Sequence, residues 1–89
     1  MGNLYQILNV DTSASQSMIK KAYHRLCLTY HPDKNKDVNA ITVFDKIQRS
    51  YGILKNAKYR RIYDNYGYEA VLFELEMNSN ECFYEVKNN

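Results

Sequence analysis

His31, Pro32 and Asp33 stand in a row and are followed by Lys34 and Asn35. An imidazole can give or take a hydrogen bond near neutral pH, and a carboxylate can accept two at once. The proline between them fixes the backbone, so the three side chains would form a small rigid polar knob suited to recognition. By composition alone the stretch is also an ordinary turn, because Pro, Asp and Asn are common turn formers. The same region offers two other chemistries. His24, Cys27 and His31 have helical spacing and are zinc-ligand types, but a fourth ligand is missing. A Cys–His or Ser–His–Asp nucleophile lacks an elbow glycine motif and an oxyanion loop. No metal, cofactor or catalytic residue is therefore expected.

A cationic strip precedes the knob. Lys20, Lys21, His24 and Arg25, with Leu28 among them, lie opposite the stripe Ile19, Ala22, Tyr23, Leu26 and Tyr30. Such a face is often merely solvated. Cationic helices commonly interleave Glu at i±4, however, and no acidic residue occurs between positions 15 and 30. An uncompensated strip beside an exposed Leu favours an anionic partner, either an acidic protein surface or phosphate.

These residues need helices to hold them. The i, i+3, i+4, i+7 spacing predicts a helix over 15–30, with Ser15 as N-cap or Ser13 with Gln16 as a capping box. Pro32 must stop it. Ala40, Val43, Phe44, Ile47, Tyr51 and Leu54 predict a second helix near 39–55, capped by Asp37 or Asn39. Tyr59, Ile62, Tyr63 and Tyr66 predict a third over 57–66, closed by a left-handed Gly67. Leu4, Tyr5, Ile7 and Leu8 fit a brief opening helix ended by Asn9. A polar link from His31 to about Val38 lets the two longer helices pack as an antiparallel hairpin, with short flanking helices. The fold class is all-α.

The chain has 89 residues, enough for one domain and little room for a large catalytic cleft. Its net charge of +2 conceals an asymmetry. Residues 1–67 hold every Lys and Arg except Lys87, while residues 68–89 hold every Glu. This suggests a basic module, 1–67, and a short acidic extension, 68–89. In the extension Ala70, Val71, Leu72, Phe73, Leu75 and Met77 could form a short helix packed on the domain. Phe73, Phe83 and Tyr84 could equally anchor another protein, a basic one given the Glu residues. Asn78-Ser79-Asn80 reads as a break. The longest strictly apolar run is Ala70-Val71-Leu72-Phe73, so neither a signal-peptide core nor a membrane span is expected. Met1-Gly2 opens like a myristoylation site, but Gln6 stands where Ser or Thr belongs. Cys27 and Cys82 are expected as free thiols in a reducing compartment, cytoplasmic or nuclear.

In order along residues 3–67, the chain resembles a J-domain, the module of the DnaJ-like 40-kDa heat-shock co-chaperones. The resemblance rests on Leu4-Tyr5-Gln6-Ile7-Leu8-Asn9-Val10, on Ile19-Lys20-Lys21-Ala22-Tyr23-His24-Arg25-Leu26, and on Tyr30-His31-Pro32-Asp33-Lys34-Asn35. It continues through Ala40, Phe44, Ile47, Ser50-Tyr51 and Leu54 to Arg60-Arg61-Ile62-Tyr63-Asp64-Asn65-Tyr66-Gly67. The resemblance implies a non-enzymatic partner of a DnaK-type, 70-kDa heat-shock chaperone, accelerating that chaperone's ATP hydrolysis. It places His31, Pro32 and Asp33 in the activating loop and Lys20, Lys21, His24, Arg25, Leu28, Lys34 and Asn35 at docking positions. It implies neither a small-molecule substrate nor a membrane, and a monomer is expected.

Asn9, Ser50 and Ala57 depart from the usual Gly, Ala and Pro, and Thr29 and His24 thin the cationic strip. Neither a Gly/Phe-rich stretch nor a zinc-binding Cys repeat follows, so client binding of the DnaJ type is not expected. Two rival readings remain open. One is a small nucleic-acid-binding module, which the long interhelical link and the acidic tail oppose. The other is a J-like scaffold that binds its partner without stimulating it.

Overall fold

The computed structural model describes the backbone of residues 3–88 and the side chains as far as residue 78. It contains five helices: α1 (Leu4–Leu8), α2 (Gln16–Tyr30), α3 (Val38–Leu54), α4 (Ala57–Tyr66) and α5 (Tyr68–Asn88). Four of them start on a short polar side chain that satisfies an amide of the first turn. Asn3 accepts from the Tyr5 N–H, Ser15 from Met18, Asp37 from Asn39, and Asn56 from Lys58 and Tyr59. The alternative box at Ser13 does not form. Ser13 donates instead to Asp11 Oδ1 at 3.2 Å, and Gln16 Nε2 reaches across to donate to the Leu54 carbonyl at 2.9 Å. Because Asp37 takes the cap, α3 begins at Val38 rather than at 39.

Two chain reversals need positive φ. Asn9 adopts the expected left-handed geometry, φ 57° and ψ 48°. Gly67 has φ 96° but ψ −178°, an extended conformation essentially reserved for glycine rather than the left-handed cap expected. It redirects the chain in a single residue, and α5 begins immediately afterwards.

α2 and α3 run antiparallel. Tyr23 stacks on Tyr51 with ring centroids 3.9 Å apart, while His31 meets Phe44 edge-on at 5.7 Å, so contacts pair in opposite order along the two helices. Leu4, Leu8, Ile19, Ile47, Leu54 and Val71 are fully buried, drawing α1, α2, α3 and α5 into one core. α4 packs through Tyr59, Ile62 and Tyr63. Tyr66, expected on that stripe, is 78% exposed, because Gly67 turns the chain away one residue later.

α1 is pinned to α4 by a polar cluster. The Tyr5 hydroxyl donates to Asp64 at 2.6 Å and accepts from Arg60 Nε at 3.0 Å. Arg60 Nη2 donates to the carbonyls of Thr12 at 3.1 Å and Ala14 at 2.7 Å. Burial, with help from the Asp64 carboxylate, raises the Tyr5 phenol above its ordinary pKa against the opposing pull of Arg60.

The extension is helical past the expected break at Asn78-Ser79-Asn80. Asn and Ser are weak helix formers, but each costs only a few tenths of a kcal/mol and neither interrupts the backbone ladder as Pro would. Val71 is fully buried, Tyr68 and Leu75 pack on the same core, and Lys58 Nζ meets Glu74 at 2.9 Å. The expectations for Cys82, Phe83 and Tyr84 concern side chains outside those described, and those for Met1 and Gly2 lie outside the described residues altogether. No helix among the described residues is long and apolar enough to cross a membrane.

Candidate functional site

The knob sits where α2 must end. Pro32 cannot extend the helix, so the His31 carbonyl is capped by the amides of Lys34 and Asn35, both at 2.9 Å. The Asp33 N–H donates to His31 Nδ1 at 3.1 Å. That bond requires an unprotonated Nδ1, which leaves the Nε2 proton as the donor of the neutral ring. The imidazole is braced from behind by the Phe44 ring of α3. The Asp33 carboxylate stays 87% exposed, its Oδ2 3.7 Å from Nδ1. Asn35 is half-buried, and its side-chain oxygen accepts from the Asp37 N–H at 3.2 Å, which links the loop to the start of α3. The tip therefore presents one carboxylate and one imidazole edge on a backbone held at both ends.

The strip lies on the outer face of α2. Lys20, Lys21, His24 and Arg25 are exposed, as is Lys34 beyond the helix, and Leu28 is 65% exposed among them. Among the described residues none of Lys20, Lys21, Arg25 and Lys34 enters an ion pair. Their positive field is thus directed at solvent. Thr29 adds nothing to it, since its hydroxyl donates back to the Arg25 carbonyl at 3.2 Å. Cys27 is a half-buried free thiol on the inner side, and its nearness to Tyr23 raises that phenol's pKa. Among the described residues no group of His, Cys, Asp and Glu could hold a metal ion.

The fold brings the knob and the strip onto one rigid element and its end. Two supporting residues have roles at the tip that spacing did not show. Phe44 reads in the sequence as one more core position, and its service as a ring support needs the register of α2 on α3. Asp37 reads as a cap, but its amide also anchors Asn35.

Comparison with known proteins gives a consistent result. Residues 3–64 match the family model described as the DnaJ domain. A DnaJ-like protein of Acanthamoeba polyphaga mimivirus is 51% identical over 70 residues, 78% of this chain and 18% of that protein. The chaperone protein DnaJ of Mycoplasmoides gallisepticum is 43% identical over 67 residues, 75% of this chain and 17% of its own length. Among solved structures, the J-Trx1 fragment of ERdj5 superposes with a TM-score of 0.71 at 43% identity, covering 75% of this chain and 33% of that one. The chain spans about a fifth of the length of these two curated relatives.

Proposed function

The chain belongs to the DnaJ domain family of co-chaperones, whose members generally regulate DnaK-type chaperones rather than act as enzymes, and we propose that it binds such a chaperone and stimulates its ATP hydrolysis. In this reading the strip Lys20, Lys21, His24 and Arg25 steers α2 onto an acidic surface of the partner, with Leu28 and Lys34 at its edge. The tip then delivers Asp33 to a partner guanidinium, a charge-assisted bond stronger than a neutral one. Stimulation follows if the tip binds the hydrolysis-competent state better than the resting state. A tenfold shift needs about 1.4 kcal/mol of differential binding, within reach of one such bond.

The observation that carries the reading is the exposed Asp33 carboxylate, fixed beside His31 at the end of a helix whose cations are uncompensated. A titration of the chain into an ATP-loaded DnaK-type chaperone tests it. Lys21→Ala and Arg25→Glu are expected to raise the concentration needed for half-maximal stimulation. The gap should be widest at low salt, because exposed charges are screened within about 8 Å at physiological ionic strength. Stimulation indifferent to both charge reversal and salt rejects docking through the strip. A shift of labelled duplex DNA by the same strip would favour the nucleic-acid reading instead.

A further inference from the structure

A second surface lies away from the tip, where α5 leaves part of α3 uncovered. Arg49, Gly52 and Ile53 of α3 and Tyr68, Leu72 and Leu75 of α5 line an open, mainly apolar cleft of about 290 Å³. Leu72 is 42% exposed at its edge, and an added Cβ at Gly52 would meet nothing within 4 Å. The volume suits one or two large side chains, and the lining lacks the converging polar groups of a small-molecule site. Glu69 and Glu76, both exposed, lie three residues before and four after Leu72, so they flank it on the helix surface. Arg49, the cation at the cleft, is already neutralised by Asp45 at 3.0 Å. α5 as a whole carries five Glu against one Lys.

We propose that this cleft docks a basic amphipathic helix of another protein, its apolar anchors seated between Gly52 and Leu72 and its cations on Glu69 and Glu76. The site goes beyond the co-chaperone reading and does not depend on it. Charge complementarity selects the occupant. A chain of net charge +2 repels a basic partner at long range, so attraction must come from the local acidic rim. A second copy fits poorly. The basic α2 buries its own apolar stripe, leaving Met18 and Leu28 outward, roughly 15 Å apart along the helix axis. Two α5 helices would bring Glu against Glu.

The test is fluorescence anisotropy of a labelled Leu/Lys peptide, apolar at i, i+3, i+4 and i+7, titrated with the full chain. A Leu/Glu counterpart and a shuffled Leu/Lys peptide serve as controls. The Leu/Lys peptide should bind and the controls should not. Gly52→Gln fills the cleft mouth and replaces a poor helix former, so it should weaken binding by about tenfold without lowering the melting temperature. Glu69→Lys with Glu76→Lys should weaken it comparably, and because both residues are exposed this variant keeps the test valid whatever Gly52→Gln does to the fold. His31→Gln should leave binding unchanged, which separates this site from the tip. Absence of Leu/Lys binding, equal binding of the controls, or binding undiminished in the cleft variants overturns the proposal. So does a dimer in sedimentation that Gly52→Gln converts to monomer, since the occupant would then be a second copy.

Discussion

Ser50 shows how a single residue can be out of pattern and still be satisfied. It is fully buried on α3, yet its hydroxyl donates to the Lys46 carbonyl at 2.8 Å, so no polar atom is stranded. Such a back-bond adds little, because that carbonyl sits within the helix ladder. Ser50→Ala should therefore stabilise the chain by about 0.5 kcal/mol on helix propensity alone. That corresponds to a rise of roughly 2–4 °C in a thermal melt. A fall of several degrees would mean that the hydroxyl does more than satisfy itself. At this scale much was legible in advance. Ser15 and Asp37 cap because their oxygens lie within reach of first-turn amides, and Asn9 turns left-handed because its short polar side chain tolerates it. Gly67 was legible as a stop but not in its conformation, which goes with α5 packing back against α4, where Asn78 donates to the Tyr59 hydroxyl and Lys58 meets Glu74.

Between elements, the cluster of Tyr5, Arg60 and Asp64 joins α1, the loop before α2, and α4. Its partners lie more than forty residues apart, so no local spacing announces them; the sequence shows only a Tyr on an apolar stripe and an Arg among cations. Arg60→Ala removes bonds to Tyr5, Thr12 and Ala14 together and should cost about 2–4 kcal/mol. Arg61→Ala, on an exposed neighbour, should stay within about 0.5 kcal/mol. Denaturant melts of the two variants decide it, and equal small losses would remove the cluster from the account. The raised Tyr5 pKa adds a pH signature. A phenol whose folded pKa lies above its unfolded value of about 10 contributes stability that is present below pH 10 and lost as pH rises toward the folded value. Tyr5→Phe should be less stable than the parent at neutral pH and should lose less stability above pH 10. An unchanged alkaline slope would contradict the assignment.

For the molecule as a whole, the composition shift near Gly67 marks where the charge changes sign but not where the core ends. The DnaJ domain match stops at residue 64, while Val71 is fully buried in the same core as Leu4 and Leu54. Charge asymmetry is visible in a string of letters, whereas which face of an apolar segment lands on α3 and α4 is not. Deleting residues 68–89 should cost at least about 2 kcal/mol, on the scale of uncovering one buried valine contact and its neighbours. A truncated chain as stable as the parent would make the extension a passenger. The central claim concerns the other end of the molecule: a rigid imidazole–proline–carboxylate tip triggers hydrolysis in a DnaK-type chaperone. Single-turnover ATP hydrolysis by that chaperone, with the intact chain and with His31→Gln each at saturating concentration, tests it most directly. The intact chain should accelerate turnover, and the variant, with an unchanged melt and helical spectrum, should leave it at the basal rate. Equal acceleration by both, or none by the intact chain, contradicts the account.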